Sequence, residues 1–304
     1  MCILIVLIFG GNIFSLLIRL LLTDSKRVQN LLICSLCISD LLMGVYLIGI
    51  MYKEMITRNE YYKHDWEWRR GPVCKSLGAI SVISSEVSVF TLVFIAYDRF
   101  LYVVHGLEYK KLSYRTAVSL LVITWLASSV LAILPTLKEV AYFYENGMES
   151  FYGSDGICMP LQLGTHSTAW QYCIAIFGVI NLIAALCLIF LYIRIFYSFY
   201  KTAQESTNVT DDHRTMAKRF AVIVLTDVCC WVPVALLLFL SLRSHSDNEN
   251  LYAWFSICVI PINSAINPLL YTFGAPTFWN SVTKWFTKHF RSCRKGWFKI
   301  NTDG

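Results

Sequence analysis

The chain has 304 residues, 56% of them hydrophobic and 15% charged, with a mean hydropathy of +0.54 and a formal net charge of +6. A soluble domain carries about 25% charged residues, so this composition excludes one that covers its own surface in water. Fifteen glycines and seven prolines exclude a collagen-like or proline-rich chain, and the hydrophobicity excludes disorder.

Seven windows reach the roughly 20 apolar residues that a hydrocarbon core of about 30 Å requires. They are 1–22, 28–52, 73–97, 117–135, 172–197, 217–242 and 251–273. All are long, mostly uncharged and without period-two alternation, and a spanning segment must satisfy its backbone internally, so each predicts a helix. After the seventh, Phe278, Val282, Trp285, Phe286, His289 and Phe290 recur every three to four residues, with Lys284, Lys288 and Arg291 between them. That pattern predicts a short amphipathic helix lying on the membrane face. The expected fold is an all-α membrane protein, a seven-transmembrane helix bundle over 1–274. A short amphipathic cytoplasmic helix 8 and tail follow over 275–304.

Orientation follows from lysine and arginine. Arg19, Lys26, Arg27, Arg99, Lys110, Lys111, Arg115, Arg194, Lys201, Arg214, Lys218, Arg219, Lys284, Lys288, Arg291, Arg294, Lys295 and Lys299 fall on one side, more than twice as many as the rest. The C-terminus is on that side, so it is expected in the cytoplasm, and an odd number of spans puts the N-terminus outside. The positive charge thus reads as a topology signal and does not favour nucleic acid. The first window has no basic leader region or small-residue cleavage site, and Asn12 sits at its centre. It reads as a first span rather than a signal peptide.

Of the eleven cysteines, most fall inside spans, where a free thiol behaves as a small hydrophobe. Cys74 and Cys158 are the two expected on the oxidising side, which predicts one disulfide pinning the second outer loop to the third span. Cys293 follows the amphipathic helix and is expected to carry a palmitoyl chain. The outer segment 61–68 concentrates Tyr61, Tyr62, Trp66 and Trp68 among Lys63, His64, Asp65 and Glu67. An ordered lid and a docking surface fit it equally.

Polar residues at membrane depth are costly and point to function. Asp40 lies near the middle of the second span, with Asn12, Ser88, Asn263, Ser264 and Asn267 at comparable depth. A carboxylate among hydroxyl and amide oxygens suits a small hard cation such as sodium, and a protonated Asp40 in a hydrogen-bonded cluster suits the same residues. Glu86 lies twelve positions below Cys74, roughly 18 Å at 1.5 Å per residue. It sits two positions from Ser88 and so faces away from Asp40, toward a protonated hydrogen bond with a neighbouring helix. At the inner end of the third span Asp98 adjoins Arg99, the acid that an interior arginine needs. Trp231 with Pro233, and Asn267-Pro268 with Tyr271 below, mark bends in the sixth and seventh spans.

These spacings resemble the rhodopsin-like (class A) G-protein-coupled receptors. The resemblance rests on Gly11-Asn12, Leu36 to Asp40, Cys74 with Arg99, Trp125, Cys230-Trp231-Val232-Pro233 and Asn267-Pro268-Leu269-Leu270-Tyr271. A narrower resemblance, to leucine-rich-repeat-containing receptors of the relaxin-family peptide type, rests on Ser84 to Val89, Ala217-Lys218-Arg219-Phe220, Thr226-Asp227 and Pro261-Ile262-Asn263-Ser264-Ala265. It implies a peptide hormone captured by a leucine-rich-repeat ectodomain, a heterotrimeric G protein of the stimulatory kind, cyclic AMP and a plasma-membrane location. This chain looks like the transmembrane part alone. It implies coupling through Asp98, Arg99, Leu107, Lys218 and Tyr271, and a switch built from Asp227, Trp231, Pro233, Asn263, Asn267, Pro268 and Tyr271. Asp227 is expected to bond to Asn263 and Asn267, tying the sixth span to the seventh.

Departures from the class A pattern fall on Ala184, where the fifth span usually has proline, on Phe100 after the arginine, on Gly106, and on His213, where an acid usually locks the arginine. A retinal protein needs a lysine in the seventh span, and 251–273 has none; an amine receptor would have Asp where Ser81 stands. A transporter should show inverted repeats, and an enzyme has little to use, since the six histidines lie in loops or the tail. Asn208-Val209-Thr210 fits a glycosylation sequon on the cytoplasmic side and is expected to stay unused. The reading is a peptide-hormone receptor without resident cofactor, apart from an allosteric sodium ion. The alternative is a truncated, non-signalling membrane protein, a decoy or dimerisation partner; homo-oligomerisation is left open.

Overall fold

The computed structural model describes residues 1–22, 27–58, 60–104, 112–137, 139–143, 151–153, 156–159, 169–205, 222, 225, 226, 228–236, 239 and 254–273. Among these every regular element is helical. The first span is Cys2–Leu22, the second Val28–Ile56, the third Pro72–Val104 and the fourth Tyr114–Ile133. The fifth joins Trp170–Cys173, Ile174–Ile180 and Asn181–Glu205. The seventh joins Phe255–Val259, Ile260–Pro268 and Leu269–Phe273. Of the sixth window, residues 222, 225, 226 and 228–236 are helical. Among the described residues five helices are long and apolar enough to cross a membrane, and Ile257–Tyr271 forms a shorter apolar one. The amphipathic helix expected over 275–304 lies outside the described residues.

Helix ends carry readable punctuation. Ser113 caps the fourth span, its hydroxyl accepting from the Thr116 N–H at 3.1 Å. Pro72 opens the third, where its missing N–H costs nothing. The spans overrun the apolar windows: the second continues to Ile56, the third to Val104 and the fifth to Glu205. Hydropathy marks the stretch inside lipid, whereas the helix ends where caps and turns stop it.

The third span is the hub, packed against the second, fourth and fifth, while the first packs on the second and seventh. Two cores result. The outer one gathers Tyr46, Leu47, Leu77, Phe151, Tyr152, Phe177 and Trp231, and the inner one Leu36, Leu92, Ile95, Leu188, Tyr192 and Tyr271. Large apolar side chains stay exposed around the perimeter, Ile3 at 77% and Ile123 and Leu126 at 63% among them. Such a continuous apolar exterior is tolerated in lipid and not in water.

Two expectations of plain helix are corrected. The fifth span widens into π-helical turns over Ile174–Ile180, without a proline to cause it, and the seventh does so on both sides of Ile260–Pro268. Pro268 removes one backbone donor, and the residues after it take the wider turn.

Segment 61–68 lies within a helix, Tyr61–Arg70, ended by Gly71, whose N–H bonds the Trp68 carbonyl at 3.0 Å. Its Trp68 indole donates to the Gly156 carbonyl at 2.8 Å, and the Tyr46 hydroxyl donates to the Ile157 carbonyl at 2.8 Å. Tyr152 lies over the third span at Gly78, where a Cβ would run into its ring. Its hydroxyl donates to the Ala132 carbonyl at 2.6 Å, and burial holds that phenol well above the ordinary tyrosine range. Trp68 thus makes the segment part of a lid, while Trp66 stays outside at 67% exposure, beneath the Arg70 guanidinium at 4.0 Å from its ring centre.

Candidate functional site

The interior polar site starts from Asp40, fully buried on the second span. A carboxyl there must find donors or change its charge. Asn267 of the seventh span donates from Nδ2 to Asp40 Oδ2 at 2.9 Å. Ser88 of the third donates to Oδ1 at 3.5 Å, and the Ser264 hydroxyl is a third hydrogen-bonding neighbour. Three spans therefore converge on one acid. Ser84 extends the cluster outward by donating to the Ser39 carbonyl at 2.6 Å, and the Trp125 indole ties the fourth span in through Ser35 at 3.0 Å.

Asn12 takes a different part from the one its depth suggested. Its amide donates to the carbonyls of Ile8 at 3.0 Å and Ser264 at 3.2 Å, so it staples the first span to the seventh and does not bond Asp40. Gly11 beside it makes that approach possible, since an added Cβ would sit 3.0 Å from the Pro268 ring. Asn263 is buried one turn above Asn267.

Trp231 forms the floor of the outer core, stacked on Phe177 with ring centres 6.4 Å apart and planes 15° from parallel. Pro233 is half-buried nearby on the same helix. Cys230, just before them, donates weakly to the Val259 carbonyl at 3.5 Å, joining the sixth span to the seventh. At the outer end Cys74 and Cys158 are bonded, with Cα atoms 5.2 Å apart, so the second outer loop closes over the third span.

At the inner end Asp98 and Arg99 are half-buried, and Arg99 sits among Asp98, Tyr102, Tyr192 and Tyr271. Tyr271 is buried at the foot of the seventh span. Sequence reasoning treated Arg19 as a flanking charge. Its guanidinium instead turns inward, donating to Asn30 Oδ1 at 3.0 Å and to the Tyr271 carbonyl at 3.0 Å. That clamp holds the inner ends of the first, second and seventh spans together, and its only sequence signal is a cation one turn inside an apolar helix. Leu107, Lys218, Asp227 and Cys293 lie outside the described residues.

Glu86 is the second fully buried acid. It faces the fifth span, where Asn181 donates from Nδ2 to its Oε1 at 3.1 Å.

Residues 11–271 match the family model described as "7 transmembrane receptor (rhodopsin family)". The chain is 35% identical over 260 residues to G-protein coupled receptor GRL101 of Lymnaea stagnalis, covering 85% of this chain and 23% of that protein. It is 34% identical over 273 residues to human relaxin receptor 1, covering 88% and 35%, and 31% identical over 295 residues to human relaxin receptor 2, covering 95% and 38%. The chain thus spans between 23% and 38% of the length of these relatives.

Proposed function

Because the chain belongs to the rhodopsin family of seven-transmembrane receptors, we propose that it switches a heterotrimeric G protein in response to a peptide hormone of the relaxin class. The multi-pass bundle lies in the plasma membrane with its N-terminus outside and its C-terminus in the cytoplasm. Hormone is captured through a leucine-rich-repeat extracellular part of the kind its relatives' class carries, and the G protein is of the stimulatory type, raising cyclic AMP.

The observation that carries the reading is the path between the two ends of the bundle. Asp40 and Asn267 join the second and seventh spans at mid-depth, and Tyr271 lies one turn below, within electrostatic reach of Arg99. A shift of the seventh span that loosens the Asp40 bond therefore also moves Tyr271 relative to Arg99. The inner ends of the helices then part, and Arg99 is presented to the G protein, with Leu107 as the apolar plug. Trp231, stacked on Phe177, and the Pro233 bend place a second moving joint in the sixth span. The carboxylate, hydroxyl and amide groups around Asp40 also fit sodium, which Asp40, Ser88, Ser264 and Asn267 would hold. Its charge would favour the closed arrangement by neutralising the acid in place.

Guanine-nucleotide exchange in membranes carrying the chain, alone and fused to a relaxin-receptor ectodomain with hormone added, tests the reading. Arg99→Ala is expected to abolish exchange while surface expression stays intact. Exchange at the wild-type rate in Arg99→Ala overturns coupling through this residue. Exchange no faster than in empty membranes, with and without the ectodomain, returns the chain to a non-signalling partner.

A further inference from the structure

The fifth span carries a stretch of wide turns, Ile174–Ile180, although the whole of 170–205 lacks proline. Such turns are rare and persist where surrounding contacts over-determine them. Three inward contacts do so here. Tyr172, just before the stretch, donates its hydroxyl to the Leu131 carbonyl at 2.6 Å. Phe177, within it, stacks on Trp231. Asn181, the first residue after it, meets Glu86.

The Glu86–Asn181 contact has an internal inconsistency if Glu86 is ionised. Both side chains are wholly buried, and the salt bridges Lys63–Glu60 and Arg69–Asp65 involve neither of them. A carboxylate in that position would have one neutral donor for four lone pairs and no counter-charge, an arrangement that burial penalises heavily. Glu86 Oε2 and Asn181 Oδ1 are moreover both without partners. Two acceptors cannot satisfy each other. One proton on Oε2 resolves both vacancies, because a carboxylic acid and a primary amide each offer one donor and one acceptor in matching geometry. Tyr172, the other titratable group facing Glu86, already gives its O–H to Leu131.

We propose that Glu86 is a neutral carboxylic acid paired with Asn181 through two reciprocal hydrogen bonds, Nδ2–H to Oε1 and Oε2–H to Oδ1, and that this pair is the positioning device that holds the wide turn. The wide turn in turn holds Phe177 against Trp231. Glu86 thus acts on the sixth span through the backbone of the fifth, without touching it. In receptors of this fold a proline in the fifth span is the ordinary source of helix irregularity, and here Ala184 stands in its place; a side-chain pair supplies the constraint instead.

Two spectroscopic readouts on the purified full-length chain test this without recourse to G-protein coupling, so their failure is separable from failure of the receptor reading. The wild-type minus Glu86→Gln infrared difference spectrum, recorded in an Asp40→Asn background, should show the carbonyl band of a protonated carboxyl, and that band should shift in Asn181→Leu. With 5-fluorotryptophan incorporated, the Trp231 resonance, assigned by its loss in Trp231→Phe, should move in Asn181→Leu and in Glu86→Leu. It should stay in place in Glu86→Gln, whose amide can form the same two bonds. Surface expression should fall several-fold for Glu86→Leu and little for Glu86→Gln. If Asn181→Leu fails to fold, Asn181→Ser, which loses the second bond at smaller volume change, takes its place. No protonated-carboxyl band in the wild-type minus Glu86→Gln difference spectrum overturns the acid, and a Trp231 resonance unmoved in the Asn181 variants overturns the positioning role.

Discussion

Two buried acids meet the third span from opposite sides, and their surroundings differ in kind. Asp40 reaches Ser88 from the second span and collects donors from the third and seventh. Glu86, on the third span itself, meets a single amide from the fifth. The first is a junction of three helices with several exchangeable hydroxyl and amide partners. The second, with the proposed proton on Glu86, is a closed pair of two groups. A site with many interchangeable partners can be rearranged at small net cost, because each bond lost is replaced by another, whereas a sole pair is lost outright. The Asp40 side is therefore suited to move when the receptor switches, and the Glu86 side to stay fixed while it does.

The largest effect is expected where the moving side is tied to the sixth span. Asp227 stands four residues before Trp231, a spacing that on a continuous helix predicts the same face and an inward acid. We propose that it bonds the amides of Asn263 and Asn267 and so favours the closed state; loss of a net bond worth about 1–2 kcal/mol shifts a two-state equilibrium roughly five- to thirty-fold. Asp227→Ala should raise basal cyclic AMP, normalised to surface protein, by about that factor, and Asp227→Asn much less. Unchanged basal signal in Asp227→Ala would move the switch away from the Asp40 side.

A smaller effect sharpens the contrast between the acids themselves. Replacing potassium by sodium should lower basal exchange a few-fold in the wild type and leave Asp40→Asn unaffected. Glu86→Gln should keep the full sodium response. Sodium sensitivity lost in Glu86→Gln and kept in Asp40→Asn would reverse the assignment of roles. The smallest effect lies outside both sides. Cys293→Ser should remove hydroxylamine-sensitive palmitate and change basal exchange by less than two-fold. Absence of label on the wild type would remove the lipid anchor and leave the comparison standing.

Much of the architecture was legible in residues alone. The windows predict helices because a membrane span must satisfy its backbone internally, and the described spans follow those windows while overrunning their ends. The motif spacing of Asp40 and Asn267 makes them interior partners, and the structure places them 2.9 Å apart. Glu86 was expected to look away from Asp40 from its two-residue offset to Ser88, and Asn181 is what it meets. The misses have physical causes. Arg19 was read as a surface cation because counting charge by side ignores which way a side chain turns. The wide turns of the fifth span left no trace because their constraint is a tertiary contact rather than a proline. Asn12 was placed by depth alone, and depth does not show that its Nδ2 donates to the Ile8 and Ser264 carbonyls.

The proposed coupling requires this bundle to open at its inner end and act on a G protein. Its most direct test is nucleotide exchange by a purified stimulatory heterotrimer on lipid nanodiscs that hold the wild-type chain, the Asp227→Ala variant or no protein. Exchange should be faster than on empty discs for the wild type and roughly five- to thirty-fold faster again for Asp227→Ala. Exchange at the empty-disc rate for both, with folded protein verified in the discs, would contradict it.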